Sequence, residues 1–144
     1  MIRSMTTLLL AGAMSIAAMA AADAKCSPAN AVAQRWQPSY VYFETGKSAL
    51  SAAEKKKIAE QAKLAKANYI QLICLKGTAD KQGDPKANER LSKARADAVA
   101  AEFARNGVAR KMIETDGLGE PGGSLLGGAG ASSAERRVEI RFTR

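Results

Sequence analysis

A carboxylate, an amide and a guanidinium stand in one short stretch of the chain. Asp80 lies in the loop Gly77-Thr78-Ala79-Asp80-Lys81-Gln82-Gly83, and Asn88 and Arg95 follow within Asn88-Glu89-Arg90-Leu91-Ser92-Lys93-Ala94-Arg95-Ala96. At about 100° per residue, seven helical steps return to within roughly 20° of the start, so Asn88 and Arg95 share a helix face two turns apart. A loop carboxylate and a helix guanidinium together suit a small ligand that carries both an ammonium and a carboxylate.

Binding chemistry is favoured over catalysis because the usual catalytic groups are missing. The chain has no histidine and two cysteines, which removes the commonest general base and any zinc site. No serine stands three residues before a lysine, so a Ser-x-x-Lys nucleophile is absent. Glu44, Asp80, Asp84 and Glu120 could converge for glycoside hydrolysis, but single acids at turns and helix ends ordinarily cap helices. No cofactor is implied. Gly117-Leu118-Gly119-Glu120-Pro121-Gly122 matches the dinucleotide-binding pattern formally, yet the proline and the following glycines forbid the helix that must receive the pyrophosphate.

The elements that position these residues follow from periodicity. Tyr40-Val41-Tyr42-Phe43-Glu44 alternates as a strand with Val41 and Phe43 on one face. After the turn Thr45-Gly46-Lys47, the capping box Ser51-Ala52-Ala53-Glu54 starts a helix to about Asn68, buried through Leu50, Ile58, Ala62 and Ala65. Lys55, Lys56 and Lys57 are most simply its solvated side. Tyr69 to Lys76 is apolar on both faces, an interior strand. Asp84-Pro85 opens the second helix, which Asn106-Gly107 ends. Leu91, Ala94, Ala98 and Ala101 are expected as its sheet-facing stripe, with Glu89 and Lys93 as an exposed pair. Met112 to Asp116 and Arg136 to Phe142 are the last strands, the latter with Val138, Ile140 and Phe142 inward. This order gives an α/β (α+β) fold: a mixed four-stranded sheet with two helices on one face, joined by right-handed crossovers.

With 144 residues, the chain has room for one ordinary domain. Residues 1–24 read as an export signal, with Arg3, an apolar run from Leu8 to Ala20, and Ala22-Asp23-Ala24 as the cleavage site. A membrane anchor is the competing reading, but the run is only marginally long enough to span and no cationic stop-transfer cluster follows it. Residues 25–39 form an extended lead-in to a domain at 40–144. In an oxidising compartment Cys26 and Cys74 can pair, contributing roughly 3–4 kcal/mol; otherwise Cys74 is a small buried strand residue and Cys26 a free thiol. The net charge of +8 favours anionic partners, an envelope polymer or surface before nucleic acid, because no basic-aromatic stacking surface appears.

The stretch from Gly77 to Ala96 resembles the peptidoglycan-associating OmpA-like domain, shared by OmpA C-terminal domains, Pal lipoproteins and MotB-type stator proteins. The shared pattern is a Gly, two residues, an Asp, two residues, a Gly, four residues, an Asn, then Leu-Ser-x-x-Arg-Ala. Flanking matches are Val41-Tyr42-Phe43, Thr45-Gly46-Lys47-Ser48, Gly117-Leu118-Gly119-Glu120 and Arg136-Arg137-Val138-Glu139-Ile140, so the likeness covers residues 40 to 143. It implies a βαβαββ sandwich in the periplasm that binds peptidoglycan through the diaminopimelate of the stem peptide and so ties the outer membrane or an envelope assembly to the wall. Asp80 would face the ammonium and Arg95 the carboxylate, with Asn88, Arg136 and Thr45 lining the pocket. A module of the same fold that docks on an envelope protein is the alternative. The chain departs from the family in having Thr78-Ala79 before Asp80 where His-Thr is usual, Glu135 before Arg136 where Asn is usual, and a long Gly-rich loop.

Overall fold

The computed structural model describes residue 26 and residues 37–80, 83–119 and 135–143. The expected export signal, most of the lead-in and most of the Gly-rich stretch expected from Gly117 to Ala134 lie outside these. Strands and helices follow in the order β1 (Ser39–Tyr42), α1 (Ala52–Ala67), β2 (Leu72–Gly77), α2 (Pro85–Arg105), a 3₁₀ turn (Arg110–Met112), β3 (Ile113–Gly117) and β4 (Arg137–Thr143). The sheet order is β1-β4-β2-β3, with β2 and β3 parallel and β4 antiparallel to both β1 and β2. The last strand therefore inserts between the first two.

Period-two alternation puts one row of each strand beneath the helices. Val41 pairs with Val138, Leu75 with Ile140, and Ile73 with both Phe142 and Ile113. All are buried in one cluster with Ile58, Ala62 and Ala65 of α1 and Ala96, Val99, Ala100 and Phe103 of α2. The other face carries Tyr40, Leu72, Cys74, Arg137, Glu139 and Arg141. There the Arg137 guanidinium lies 4.3 Å from the Tyr40 ring centroid. Cys74 is disulfide-bonded to Cys26 on this side, with their Cα atoms 5.7 Å apart. The lead-in is thus tied to the face the helices leave open.

Ser51 caps α1 as expected, its Oγ accepting the Glu54 N–H at 3.2 Å. The Glu54 carboxylate turns to Lys57 Nζ at 3.0 Å, and Lys57 also donates to the Tyr40 carbonyl at 3.1 Å. Lys57 is therefore a half-buried tie between α1 and β1, while Lys55 and Lys56 are solvated. Asp84 caps α2 by accepting the Ala87 N–H at 2.8 Å, ahead of Pro85 at the first helical turn.

The sheet-facing side of α2 differs from the expected stripe. Ala94 and Ala101 are exposed and Leu91 and Ala98 half-buried, whereas Asn88, Ser92, Arg95, Ala96, Val99, Ala100 and Phe103 are buried. Lys93 pairs with Asp97 and Thr115, not with Glu89. The close approach arises from glycines in the sheet rather than alanines on the helix. Gly77 and Gly117 are register partners; a Cβ at Gly77 would lie 2.0 Å from the Ser92 carbonyl oxygen, and one at Gly117 2.7 Å from the Lys93 nitrogen. The α2 backbone rests directly on them, which aims Asn88, Ser92 and Arg95 at the loops leaving the strands.

Candidate functional site

The loop after β2 is fixed from two sides before it reaches Asp80. The Thr78 N–H donates to the Arg137 carbonyl at 2.9 Å, and its hydroxyl reaches the carbonyls of Glu135 at 2.6 Å and Arg137 at 3.2 Å. The Ala79 N–H donates to the Gly119 carbonyl at 2.8 Å. Thr78 thus clamps the backbone on both sides of Arg136. The Arg136 guanidinium in turn donates to Asp80 Oδ2 at 3.3 Å and to the Phe43 carbonyl at 3.3 Å. The side chains of this pair are 16% and 7% exposed, so it is largely shielded from water.

Arg95 lies beneath it and is fully buried. Its Nε donates to the Lys47 carbonyl at 2.8 Å, Nη1 to the Thr78 carbonyl at 3.0 Å and Nη2 to the Glu44 carbonyl at 3.1 Å. The guanidinium also lies 5.3 Å from the Phe43 ring centroid. Three of its five N–H donors are committed to backbone. Burial pulls its pKa below the ordinary arginine value, Asp80 opposes that shift, and Arg136 adds to it. Arg95 is a buried positive charge that holds the β1–α1 turn against the β2 loop.

Of the five residues expected in the site, Asp80, Arg95 and Arg136 come together. Thr45 is exposed in the turn that Arg95 anchors through Glu44 and Lys47. Asn88 is buried on the same side of α2, two turns before Arg95. Of the other acids, Asp84 is engaged as the α2 cap and Glu44 is exposed; Glu120 lies outside the described residues.

Two supports were missed in the sequence. Ser92 Oγ accepts the Gly119 N–H at 2.8 Å and donates to the Glu89 carbonyl at 2.8 Å, pinning the loop after β3 to α2. Its signal is the Leu-Ser pair inside the motif, which reads as ordinary helix surface. Thr78 is the other; the residue that departs from the family pattern is the one that clamps Arg136. Beside it, Glu135 Oε2 is buried without a hydrogen-bond partner among the described residues.

Similar structures carry the same architecture. The OmpA-like domain of FopA1 from Francisella tularensis subsp. tularensis SCHU S4 is 28% identical with a TM-score of 0.64, covering 72% of this chain and 70% of that one. The peptidoglycan-associated lipoprotein from Burkholderia pseudomallei is 26% identical with a TM-score of 0.64, covering 72% and 89%. The C-terminal domain of Helicobacter pylori MotB shares the fold at 20% identity and a TM-score of 0.63, covering 74% and 84%. No significant match was found among curated proteins. The OmpA family model matches residues 42–137, a span that begins in β1, contains the glycine-seated helix and its buried arginine, and ends in β4: the chain belongs to the OmpA family.

Proposed function

We propose that this protein binds peptidoglycan non-covalently in the periplasm, through the diaminopimelate of the stem peptide, and so links an envelope assembly to the cell wall. The observation that carries the proposal is the Asp80–Arg136 pair held over Arg95. A ligand centre with an ammonium and a carboxylate can replace this pair by presenting its ammonium to Asp80 and its carboxylate to Arg136, each charge exchanging one partner for another of the same sign. Arg95 takes part from below, its field favouring the carboxylate and its remaining donors completing the floor. Asn88, buried on the same face of α2, and Thr45, exposed in the turn that Arg95 anchors, would help to line the pocket. Membership of the OmpA family and the likeness to a peptidoglycan-associated lipoprotein support the reading, as does the export-signal composition of residues 1–24.

Co-sedimentation with purified sacculi tests it. Because Arg95 also holds the fold, the informative substitutions are Asp80→Asn and Arg136→Ala, each checked for an unchanged circular dichroism spectrum. Both are expected to remove most of the sedimentation, and free diaminopimelate to compete with wild type. Unchanged sedimentation in both folded variants refutes the site. Binding that tolerates both changes and fades smoothly with salt assigns it to diffuse charge. No sedimentation by wild type points to a module that docks on an envelope protein.

A further inference from the structure

The two helices end in the same way but with different residues. In α2 the Gly107 N–H donates to the Ala104 carbonyl and the Val108 N–H to the Phe103 carbonyl, at 3.0 and 3.1 Å, with Gly107 at φ +84°. In α1 the Tyr69 N–H donates to the Lys66 carbonyl and the Ile70 N–H to the Ala65 carbonyl, at 3.3 and 3.0 Å. Both are Schellman closures, whose left-handed position ordinarily takes glycine. Here it holds Tyr69 at φ 53°, the one described non-glycine residue with positive φ. Its side chain is 87% exposed, so packing does not account for it. Neither backbone preference nor packing within the described residues accounts for a bulky aromatic at this position.

Tyr69 stands at the end of a basic stripe. Lys55, Lys56, Lys63 and Lys66 fall within an arc of roughly 100° on α1. All four are exposed, and none is ion-paired with a described carboxylate; among the described residues Lys66 donates only to the Asn106 carbonyl, at 2.9 Å. Glu60 borders the arc, and Lys57, turned to Glu54, lies off it. Next to Lys66 the stripe opens onto a cleft of about 520 Å³ lined by Ala65, Lys66, Tyr69, Ile70, Gln71 and Met112. A solvated helix face requires neither unpaired lysines on one side nor a strained tyrosine at its end.

We propose that this side of α1 docks on an anionic phospholipid bilayer surface, the lysines over the headgroup phosphates and Tyr69 in the interfacial layer. A row of cations gains roughly equal increments from such a surface, and an amphipathic ring prefers the headgroup level. The reading is independent of the peptidoglycan proposal, since no residue of the stripe is among those placed in that site: Lys55 and Lys56 stand at the end of α1 nearer its loops, and Lys66 and Tyr69 at the far end.

The test is sedimentation of purified protein with vesicles of phosphatidylcholine alone and of phosphatidylcholine with about 30% phosphatidylglycerol, an anionic fraction that gives a clear surface potential. Binding is expected to the mixed vesicles only and to weaken with salt. The triple variant Lys55→Gln, Lys56→Gln, Lys63→Gln should lose about hundredfold in affinity. Tyr69→Gly, which suits the backbone and keeps the fold, should bind several-fold more weakly while being at least as stable. Asp80→Asn should bind vesicles as wild type does. Equal binding to neutral vesicles, no binding to the mixed ones, or full binding by both the triple and the Tyr69 variants overturns the proposal, as does retention on dextran sulfate without any vesicle binding, which would assign the stripe to a soluble polyanion.

Discussion

Replacing Arg95 separates a ligand group from a structural one. Arg95→Ala leaves the carbonyls of Glu44, Lys47 and Thr78 without their donors. The space vacated is large and polar enough for water, so the cost per carbonyl falls at the low end of the range for unsatisfied groups, about 1 kcal/mol each. Loss of the guanidinium beside the Phe43 ring adds about 1 kcal/mol. Against this stands relief of the desolvation that depresses the Arg95 pKa, which returns part of the loss. The net is a loss of about 3 kcal/mol, a large share of the stability of an ordinary domain. With a urea slope of about 1.5 kcal/mol/M, the unfolding midpoint should fall by about 2 M. Arg95→Lys keeps the charge, but a single ammonium cannot span three carbonyls set around a planar fork, so about half the loss should remain. A midpoint for Arg95→Ala within about 0.5 M of wild type, with sacculus binding abolished, would refute the structural role and make Arg95 a ligand group alone.

Gly77→Ala should prevent folding or cost at least about 3 kcal/mol in thermal unfolding, because its Cβ would meet the Ser92 carbonyl oxygen at 2.0 Å in helix backbone that cannot yield. Gly83→Ala, at φ +97° in open space, should cost only about 1 kcal/mol of backbone strain. Burial pushes the Asp97 carboxyl up, but hydrogen bonds from Lys93 and Thr115 and the charges of Lys93 and Arg110 outweigh it and hold the pKa below the ordinary aspartate value. Its contribution is therefore present at neutral pH and lost as pH falls through the folded-state pKa; Asp97→Asn should cost less than about 1 kcal/mol at neutral pH and nothing in strong acid, measured by urea unfolding across pH. Reduction of Cys26–Cys74, whose separation is 48 residues, should lower stability by roughly 3–4 kcal/mol in paired urea titrations with and without reductant.

The strands and the first helix were legible because their pattern and their burial obey the same rule. Val138, Ile140 and Phe142 alternate with Arg137, Glu139 and Arg141, and the sheet buries the first set and wets the second. Ile58, Ala62 and Ala65 recur at helical spacing and all face the core. Lys57 was misassigned because it reads as one of three like charges in a row, and only the fold brings the Tyr40 carbonyl and the Glu54 carboxylate to one of them. The insertion of β4 between β1 and β2 is likewise absent from local pattern, since any strand buried on one face satisfies the same alternation.

The second helix was misread for a more general reason, and it explains the site. Along one buried face of α2 the chemistry changes: Asn88, Ser92 and Arg95 near its start, Val99, Ala100 and Phe103 toward its end. The later half covers side chains of β2, β3 and β4 and must be apolar. The earlier half lies on Gly77, Gly117 and Gly119, where the surface beneath is bare backbone, and on turns whose carbonyls point upward. Backbone is polar on every residue, so what packs on it must hydrogen-bond. Ser92 and Arg95 are the core residues of that half. A single hydrophobic stripe would follow the alanines to the wrong face, while Gly77 before the helix and Gly117 after it are what make the polar face the buried one. The positive charge required to satisfy those carbonyls is also what lies under Asp80 and Arg136, so the demand of packing helix on backbone and the electrostatics of the candidate site have a single source in Arg95.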